Sequence, residues 1–261
     1  EDQVTCIRKP NEGKAAAINA ALPLVRQPFL WVFDDDDVAM PDALERHLEV
    51  LERRPDVGFT YSNAYACHTE AGADKLVVDR LISVRSFPEE ETLFELVFSS
   101  FTASPAVVTR TSVQEDAGPY NPVLIRCEDW DMSLRWAMRA RGARLDEDRP
   151  TYYRRFHSGM RGPAGQQFHY SDDIQKTRQF DRYILREVRR DMQLHHYLPA
   201  TEWELALDGE RELRARARRF SVRFAKGLWP EVLEDVAAIQ TLLRSGAPGN
   251  HDVRRSFRRA A

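Results

Sequence analysis

Two hydrophobic rhythms run along this chain, and the change from one to the other divides it. Up to about residue 170, short apolar runs of strand length alternate with stripes at helical spacing, whereas only helical stripes remain beyond. Val4–Arg8 alternates as a strand does, Pro10-Asn11-Glu12-Gly13 is turn chemistry, and the Ala-rich stretch from Lys14 to about Val25 predicts a helix closed near Pro28. Phe29–Phe33 is a continuous apolar run, the pattern of a strand buried on both faces in a mostly parallel sheet. Leu44, Leu48 and Leu51 then mark one face of a helix entered through Pro41. Val57–Tyr65 predicts the next strand, Lys75–Val84 a strand pairing with it antiparallel, Glu91–Ser100 a helix and Ser104–Arg110 a further strand. Trp130, Leu134 and Met138 recur at helical spacing in a helix ended by Gly142, and a last strand is expected around Thr151–Phe156. This order is that of an α/β domain, a mostly parallel sheet flanked by helices.

Past that point, Phe180, Ile184, Val188 and Met192 fall on one stripe, and Thr201–Glu204 (TEWE) has the spacing of a capping box. Pro230 opens a helix striped by Val232, Val236, Ile239 and Leu243. Residues 170–261 therefore read as an all-helical extension of a domain spanning residues 1–169. Composition agrees: 261 residues, 43% hydrophobic and 30% charged, are enough for one sizeable core and a smaller second unit. No run approaches the roughly 18 apolar residues of a membrane span. Cys6, Cys67 and Cys127 lie far apart and give neither a disulfide framework nor a metal knuckle, which points to a reducing cytoplasm.

The net charge of −3 hides an asymmetry, because residues 209–261 hold 12 Lys/Arg against 6 Asp/Glu and the remainder is acidic. The basic stretches RELRARARRFSVRFAK and RRSFRRAA suit a solvated helix face first and peripheral contact with an anionic membrane second; nucleic acid is not an expected partner. In the acidic part, Trp31–Leu44 reads WVFDDDDVAMPDAL, an apolar run that meets four consecutive aspartates. Adjacent carboxylates repel, so the cluster implies a cation among them. On an extended backbone Asp34 and Asp36 share one side and Asp35 and Asp37 the other, which makes a D-x-D pair just past a strand end, where α/β sheets gather ligands. Carboxylate oxygens suit Mg2+ or Mn2+, with a diphosphate completing the shell. A solvated helix start is the plainer alternative, but a helix N-terminus needs one carboxylate or two. The second constellation is Glu128-Asp129-Trp130-Asp131 at a helix start, where a carboxylate can act as general base toward a hydroxyl held against it, or simply cap the helix while Asp131 pairs with Arg135.

NEGKAAAINAAL, then FLWVFDDDDVAMPDAL, then CEDWDMSLRWAMRARG, resemble in order and spacing the family 2 glycosyltransferases of GT-A fold, over about residues 4–160. The resemblance implies an inverting, metal-dependent transferase that moves a sugar from a nucleotide-diphospho-sugar, a UDP-linked one first, to an acceptor hydroxyl on a glycan or lipid-linked acceptor in cell-surface polysaccharide synthesis. Carried over by position, Asp36 ligates Mn2+ or Mg2+, Asp34 helps hold the nucleotide and Asp129 is the base. His157 stands where such enzymes have a histidine near the metal or diphosphate, and Lys14 can reach the nucleotide from its helix start. An ordinary surface role competes for both, and Asn19 reads as structural, bonding to backbone. The family's opening strand and its Asp-Asp-Gly-Ser-like loop have no counterpart here, so the first βαβ part of the domain is expected to be missing and the fragment itself to bind donor poorly. The alternatives are a Mg2+-dependent phosphotransferase or phosphatase, which needs a nucleophilic aspartate and a supporting lysine, and an inactive remnant serving as a binding module.

Overall fold

The computed structural model describes residues 4–70, 75–145, 148–157, 159–169 and 174–245; the basic run Arg254–Ala261 and Ser158 of the glycine-rich turn lie outside them. Contacts divide the chain into two compact units, one of residues 1–89 and 101–177, the other of 90–100 and 178–261. In chain order the elements of the first part are α1 (Lys14–Ala21), β1 (Phe29–Trp31), β2 (Val38–Ala39), α2 (Ala43–Arg53), β3 (Val57–Tyr61), β4 (Ala64–Thr69) and β5 (Leu76–Ile82). After α3 (Thr92–Phe98) come β6 (Val107–Arg110), α4 (Thr111–Ala117), α5 (Glu128–Ala137), β7 (Arg141–Arg144), β8 (Tyr152–Arg155), β9 (Met160–Arg161) and β10 (Phe168–His169).

The first unit holds two four-stranded sheets, ordered β1-β6-β3-β7 and β2-β8-β4-β5, and the hairpin β9-β10. They are mixed rather than mostly parallel: β3 pairs parallel with β7 and β4 with β8, while the other ladders of both sheets are antiparallel. The apolar run ending in the aspartates is correspondingly not a doubly buried central strand. Among the described residues β1 is an edge strand of three half-buried residues, with the Trp31 indole donating to Pro105 O at 3.0 Å and Arg110 lying over the Phe29 ring. Its aromatic residues pack on α2, β3 and β6 through Leu51, Val57 and Val108, and so mimic the composition of a central strand.

Other expectations shift for local reasons. Val4–Arg8 has no strand assignment, and the helix from Lys14 ends at Ala21 before a 3-10 turn, Leu22–Leu24, built on Pro23. On α2 the buried residues are Ala43, His47 and Leu51, while Leu44 is 43% exposed, because the sheet takes the face one residue round from the leucine stripe. Val57–Tyr65 is two strands, as the chain leaves one sheet and enters the other between Tyr61 and Ala64. Gly142 lies inside β7 rather than ending a helix; a Cβ there would come within 2.4 Å of the Phe59 ring, so the glycine serves close packing. The helix α4 has no counterpart in the hydrophobic pattern. Phe59, Tyr61, Met132, Trp136 and Tyr152 are among the residues that fill the core.

The second unit combines α3 with α6 (Ile174–Tyr183) from Arg178 onward, α7 (Ala200–Leu205), α8 (Asp208–Ala225) and α9 (Trp229–Arg244). The sequence reading counted residues 91–100 with the first domain. Their partners are Arg218, which pairs with Glu91 and lies over the Phe94 ring at 3.9 Å. Leu213, Ala217, Phe220, Val232 and Ile239 form this unit's core. Thr201 caps nothing: α7 begins after Pro199, and the capping box falls at Gln193 and His196 instead. Arginines of α8 meet acids within the unit, Arg216 with Glu212, Arg219 and Arg223 with Asp235, so this part of the basic surplus is spent on ion pairs.

Candidate active site

Asp34–Asp37 carry the chain from β1 in one sheet to β2 in the other, and this crossing shapes the site. The backbone does not stay extended. Asp37 N donates to Asp34 O at 3.3 Å, closing a turn, a conformation aspartate tolerates well. The strict alternation expected of a strand is therefore lost. Asp34, Asp36 and Asp37 each offer a carboxylate oxygen within 4.8 Å of the others, close enough to hold one metal ion, and Asp35 is left exposed. Asp37 is the residue that the sequence reading missed; the turn propensity of an aspartate run was the available signal.

The end of β8 reaches the cluster because β8 pairs with β2 through Val38 and Tyr153. Arg155 N donates to Asp37 Oδ1 at 2.9 Å, and its Nε donates to Asp36 O at 2.8 Å. His157 Nε2 and Arg161 Nη2 both meet Asp36 Oδ2, at 2.9 and 2.7 Å. Gly159 N donates to His157 Nδ1 at 2.9 Å, so in the neutral ring the hydrogen-bond pattern assigns the proton to Nε2, which gives it to Asp36. A Cβ on Gly159 would fall 2.5 Å from that Nδ1 and displace the ring. Burial pushes the Asp36 carboxyl up, but the hydrogen bond from His157 and the charge of Arg161 outweigh it and hold the group below its usual range. At Asp37 the balance is the opposite: burial, with Asp36 and Asp34 nearby, pushes it up to about 6, although the Arg155 amide and the charge of Arg154 pull it down.

The second constellation is brought to the same place. Cys127 precedes α5 in the left-handed region, φ 60°, the one non-glycine residue so placed among the described residues, and it turns the chain so that Glu128, Asp129 and Asp131 stand in the helix's first turn. Asn19 of α1 bonds both the N–H and the C=O of Tyr120 at 2.8 Å and anchors the loop leading into that turn, the structural role expected of it. Lys14 then bridges the two acid groups: its Nζ lies 2.5 Å from Asp34 Oδ1 and 3.8 Å from Glu128 Oε1. Burial disfavours the Lys14 charge, but Asp34, Glu128 and Asp129 outweigh it and raise the ammonium's pKa. Glu128 is pushed up to about 7 by burial and by Asp129, with Lys14 pulling the other way. Asp129 is half-buried and accepts from Trp130 N at 2.8 Å, whereas Asp131 is fully buried against Arg135 at 3.1 Å, away from the acid pair's work.

The donor set is hard carboxylate oxygen, and the positive groups already upon it, Lys14 and Arg161, stand where a divalent ion would be welcome; these residues fit such an ion. Beside Asp36 opens a cleft of about 660 Å³ lined by Asp35, Thr69, Arg155, Phe156, His157, Met160 and Arg161. Arg161 had no role in the sequence reading, although a second cation four residues past His157 in a glycine-rich turn was visible.

A family model described as Glycosyl transferase family 2 matches residues 1–93. A protein of Methanocaldococcus jannaschii named as an uncharacterized glycosyltransferase is 23% identical over 130 residues, covering 48% of this chain and 41% of that protein. Another so named, from Haemophilus influenzae, is 25% identical over 156 residues, 59% of this chain and 51% of that one. The chain thus spans about half the length of the curated relatives it matches. The crystal structure of S. aureus TarS 1-349 in complex with UDP-GlcNAc superposes with a TM-score of 0.51 at 15% identity, over 95% of this chain and 76% of that one. That likeness is one of fold, the GT-A arrangement of sheets and flanking helices. Among the described residues no helix is long and apolar enough to cross a membrane.

Proposed function

We propose that the chain is a family 2 glycosyltransferase that moves a sugar from a nucleotide-diphospho-sugar, UDP-linked as in the TarS complex, to an acceptor hydroxyl with inversion at the anomeric carbon; the family model over residues 1–93 and the TarS-like fold support this reading. The observation that carries this reading is the Lys14 bridge, which brings the D-x-D segment and the acid pair of α5 to one site. Transfer needs two opposed services: neutralising the departing diphosphate and accepting the proton of the incoming hydroxyl. Asp36 with Asp34 and Asp37 would hold Mn2+ or Mg2+, which when bound supplies Lewis-acid stabilisation of the diphosphate. His157 orients Asp36, and in its present tautomer serves that carboxylate rather than a metal; ligation through Nε2 requires the proton to leave that nitrogen. Lys14 faces Asp34 and Glu128 and supplies fixed positive charge toward the nucleotide.

Asp129 is the general base in this reading. Glu128 is the competitor, since a carboxyl at about 7 is well matched to proton transfer. It is buried and turned to Lys14, however, while Asp129 retains access. Lys14 beside Asp34 also meets the lysine requirement of a phosphotransferase, but that chemistry leaves the α5 acid pair without a task. Donor turnover and acceptor transfer measured with UDP-sugars, against hydrolysis of simple phosphoesters, separate the two. Asp129→Asn is expected to leave Mn2+ and UDP binding near normal while transfer falls by about two orders of magnitude or more. Ordinary transfer by Asp129→Asn, or a product retaining the donor's anomeric configuration, contradicts the assignment.

A further inference from the structure

The hairpin β9-β10 is fastened to the segments that carry the site. Asn11, three residues before Lys14, accepts from Ala164 N at 3.1 Å and donates through Nδ2 to Gly162 O at 3.4 Å. Arg126, just before Glu128 and Asp129, lies over the Phe168 ring at 3.9 Å and donates to His169 O at 3.4 Å. The third fastening is ionic, Arg161 Nη2 on Asp36 Oδ2 at 2.7 Å, and Arg161 is itself one-third exposed at the cleft. A divalent ion lies about 2.1 Å from a carboxylate oxygen, so an ion on this oxygen would stand within about 5 Å of the guanidinium, a strong like-charge conflict.

We infer that Arg161 is the internal counter-cation of this site: it holds the Asp36 carboxylate until a divalent cation takes its place, so that metal binding is an exchange that releases Arg161 from Asp36 and loosens one of the fastenings of the hairpin among the described residues. The inference rests on the metal-binding reading of the acid cluster proposed above. It explains why a guanidinium and an imidazole converge on one oxygen of the residue best placed as a ligand, and it makes the affinity for the bare ion lower than the carboxylates alone would give.

The test is Mn2+ binding followed by electron paramagnetic resonance, without nucleotide, on the unmodified protein and on Arg161→Gln, Arg161→Lys and Asp36→Asn. Removing a part-exposed competing charge should tighten Mn2+ binding by roughly two- to fivefold in Arg161→Gln, with Arg161→Lys close to the unmodified protein. Unchanged or weaker binding by a folded Arg161→Gln overturns the exchange while leaving the metal reading intact. Mn2+ bound by none of the proteins, or bound equally by Asp36→Asn, removes both. In the unmodified protein, amide exchange over residues 160–169 should quicken when Mn2+ is added; slowed or unchanged exchange counts against the exchange, whatever the variants do.

Discussion

The molecule holds two very different carboxylate sites. In the second unit Asp235 is completely buried, with Arg219 Nη2 at 2.6 Å, Arg223 Nη1 at 2.8 Å and Arg216 Nη1 at 3.8 Å. In the first unit Asp34, Asp36 and Asp37 crowd together part-exposed, with Glu128 and Asp129 joined to them through Lys14. One acid there meets three fixed cations; here several acids share Lys14 and Arg161, with a hydrogen bond from His157. A carboxylate saturated with guanidinium groups is a fastening, whereas carboxylates in surplus over their cations leave room for a ligand's charge. Burial first, and the neighbouring carboxylates after it, raise the pKa values of Asp37 and Glu128, as befits acids short of counter-charge.

The largest effect expected from this contrast is on stability, at the saturated site. Asp235→Ala leaves three arginines around an empty position and should cost about 3–5 kcal/mol in urea unfolding, with Mn2+ binding unchanged in the folded fraction. A cost under about 1 kcal/mol would mean that the arginines find other partners or water, and the contrast with the aspartate turn would weaken.

Lys14→Met sharpens the other side. It deprives Asp34 and Glu128 of their shared cation and should cost about 1–2 kcal/mol above pH 7, discounted for the lysine's partial exposure. Because Glu128 takes up a proton as pH falls through about 7, the cost should shrink toward pH 5. A pH-independent cost in thermal melts would show that Lys14 acts through packing rather than charge.

His47 adds the case of a buried titratable group with no counter-charge at all. Its ring is held by Thr60 Oγ1 at 2.8 Å and Thr151 Oγ1 at 3.4 Å, and burial followed by the Arg46 charge lowers its pKa to about 3. The unfolded ring binds a proton below about 6.5 and the folded ring does not, so this residue's contribution to stability is full above pH 6.5 and declines as pH falls, by at most about 1.4 kcal/mol per unit. Asp37 and Glu128 contribute in the opposite direction over the same window, so the measurement is the difference in unfolding free energy between the unmodified protein and His47→Gln from pH 7.5 to 5. A difference that does not narrow as pH falls contradicts a neutral buried His47.

Much of this site could be read in the chain itself, because motif residues carry their own chemistry. Asp34 and Asp36 stood out from residue type and spacing, Lys14 and Asp129 through the resemblance to family 2 glycosyltransferases, and the structure gathers their segments. What sequence spacing concealed was geometry created by tertiary contacts. The alternation rule failed at Asp37 because the chain turns while changing sheets, and on α2 the helical stripe was one residue off at Leu44, since Ala43, His47 and Leu51 are the buried residues. The antiparallel edge position of β1 was hidden by aromatic residues that suit a central strand equally well. Residues 90–100 belong with distant helices through the pairing of Glu91 with Arg218, a partner 127 residues away, which no local pattern announces.

The central claim is that a turn, not an extended strand, assembles the ligand site, and Asp37 distinguishes the two most directly. Mn2+ titrations of Asp35→Asn, Asp36→Asn and Asp37→Asn, each read by electron paramagnetic resonance, should show near-normal affinity for Asp35→Asn and at least tenfold weaker binding for Asp36→Asn and Asp37→Asn, roughly the loss of one charged ligand. Normal affinity in Asp37→Asn, with loss confined to Asp36→Asn, would restore the alternating arrangement and contradict the turn.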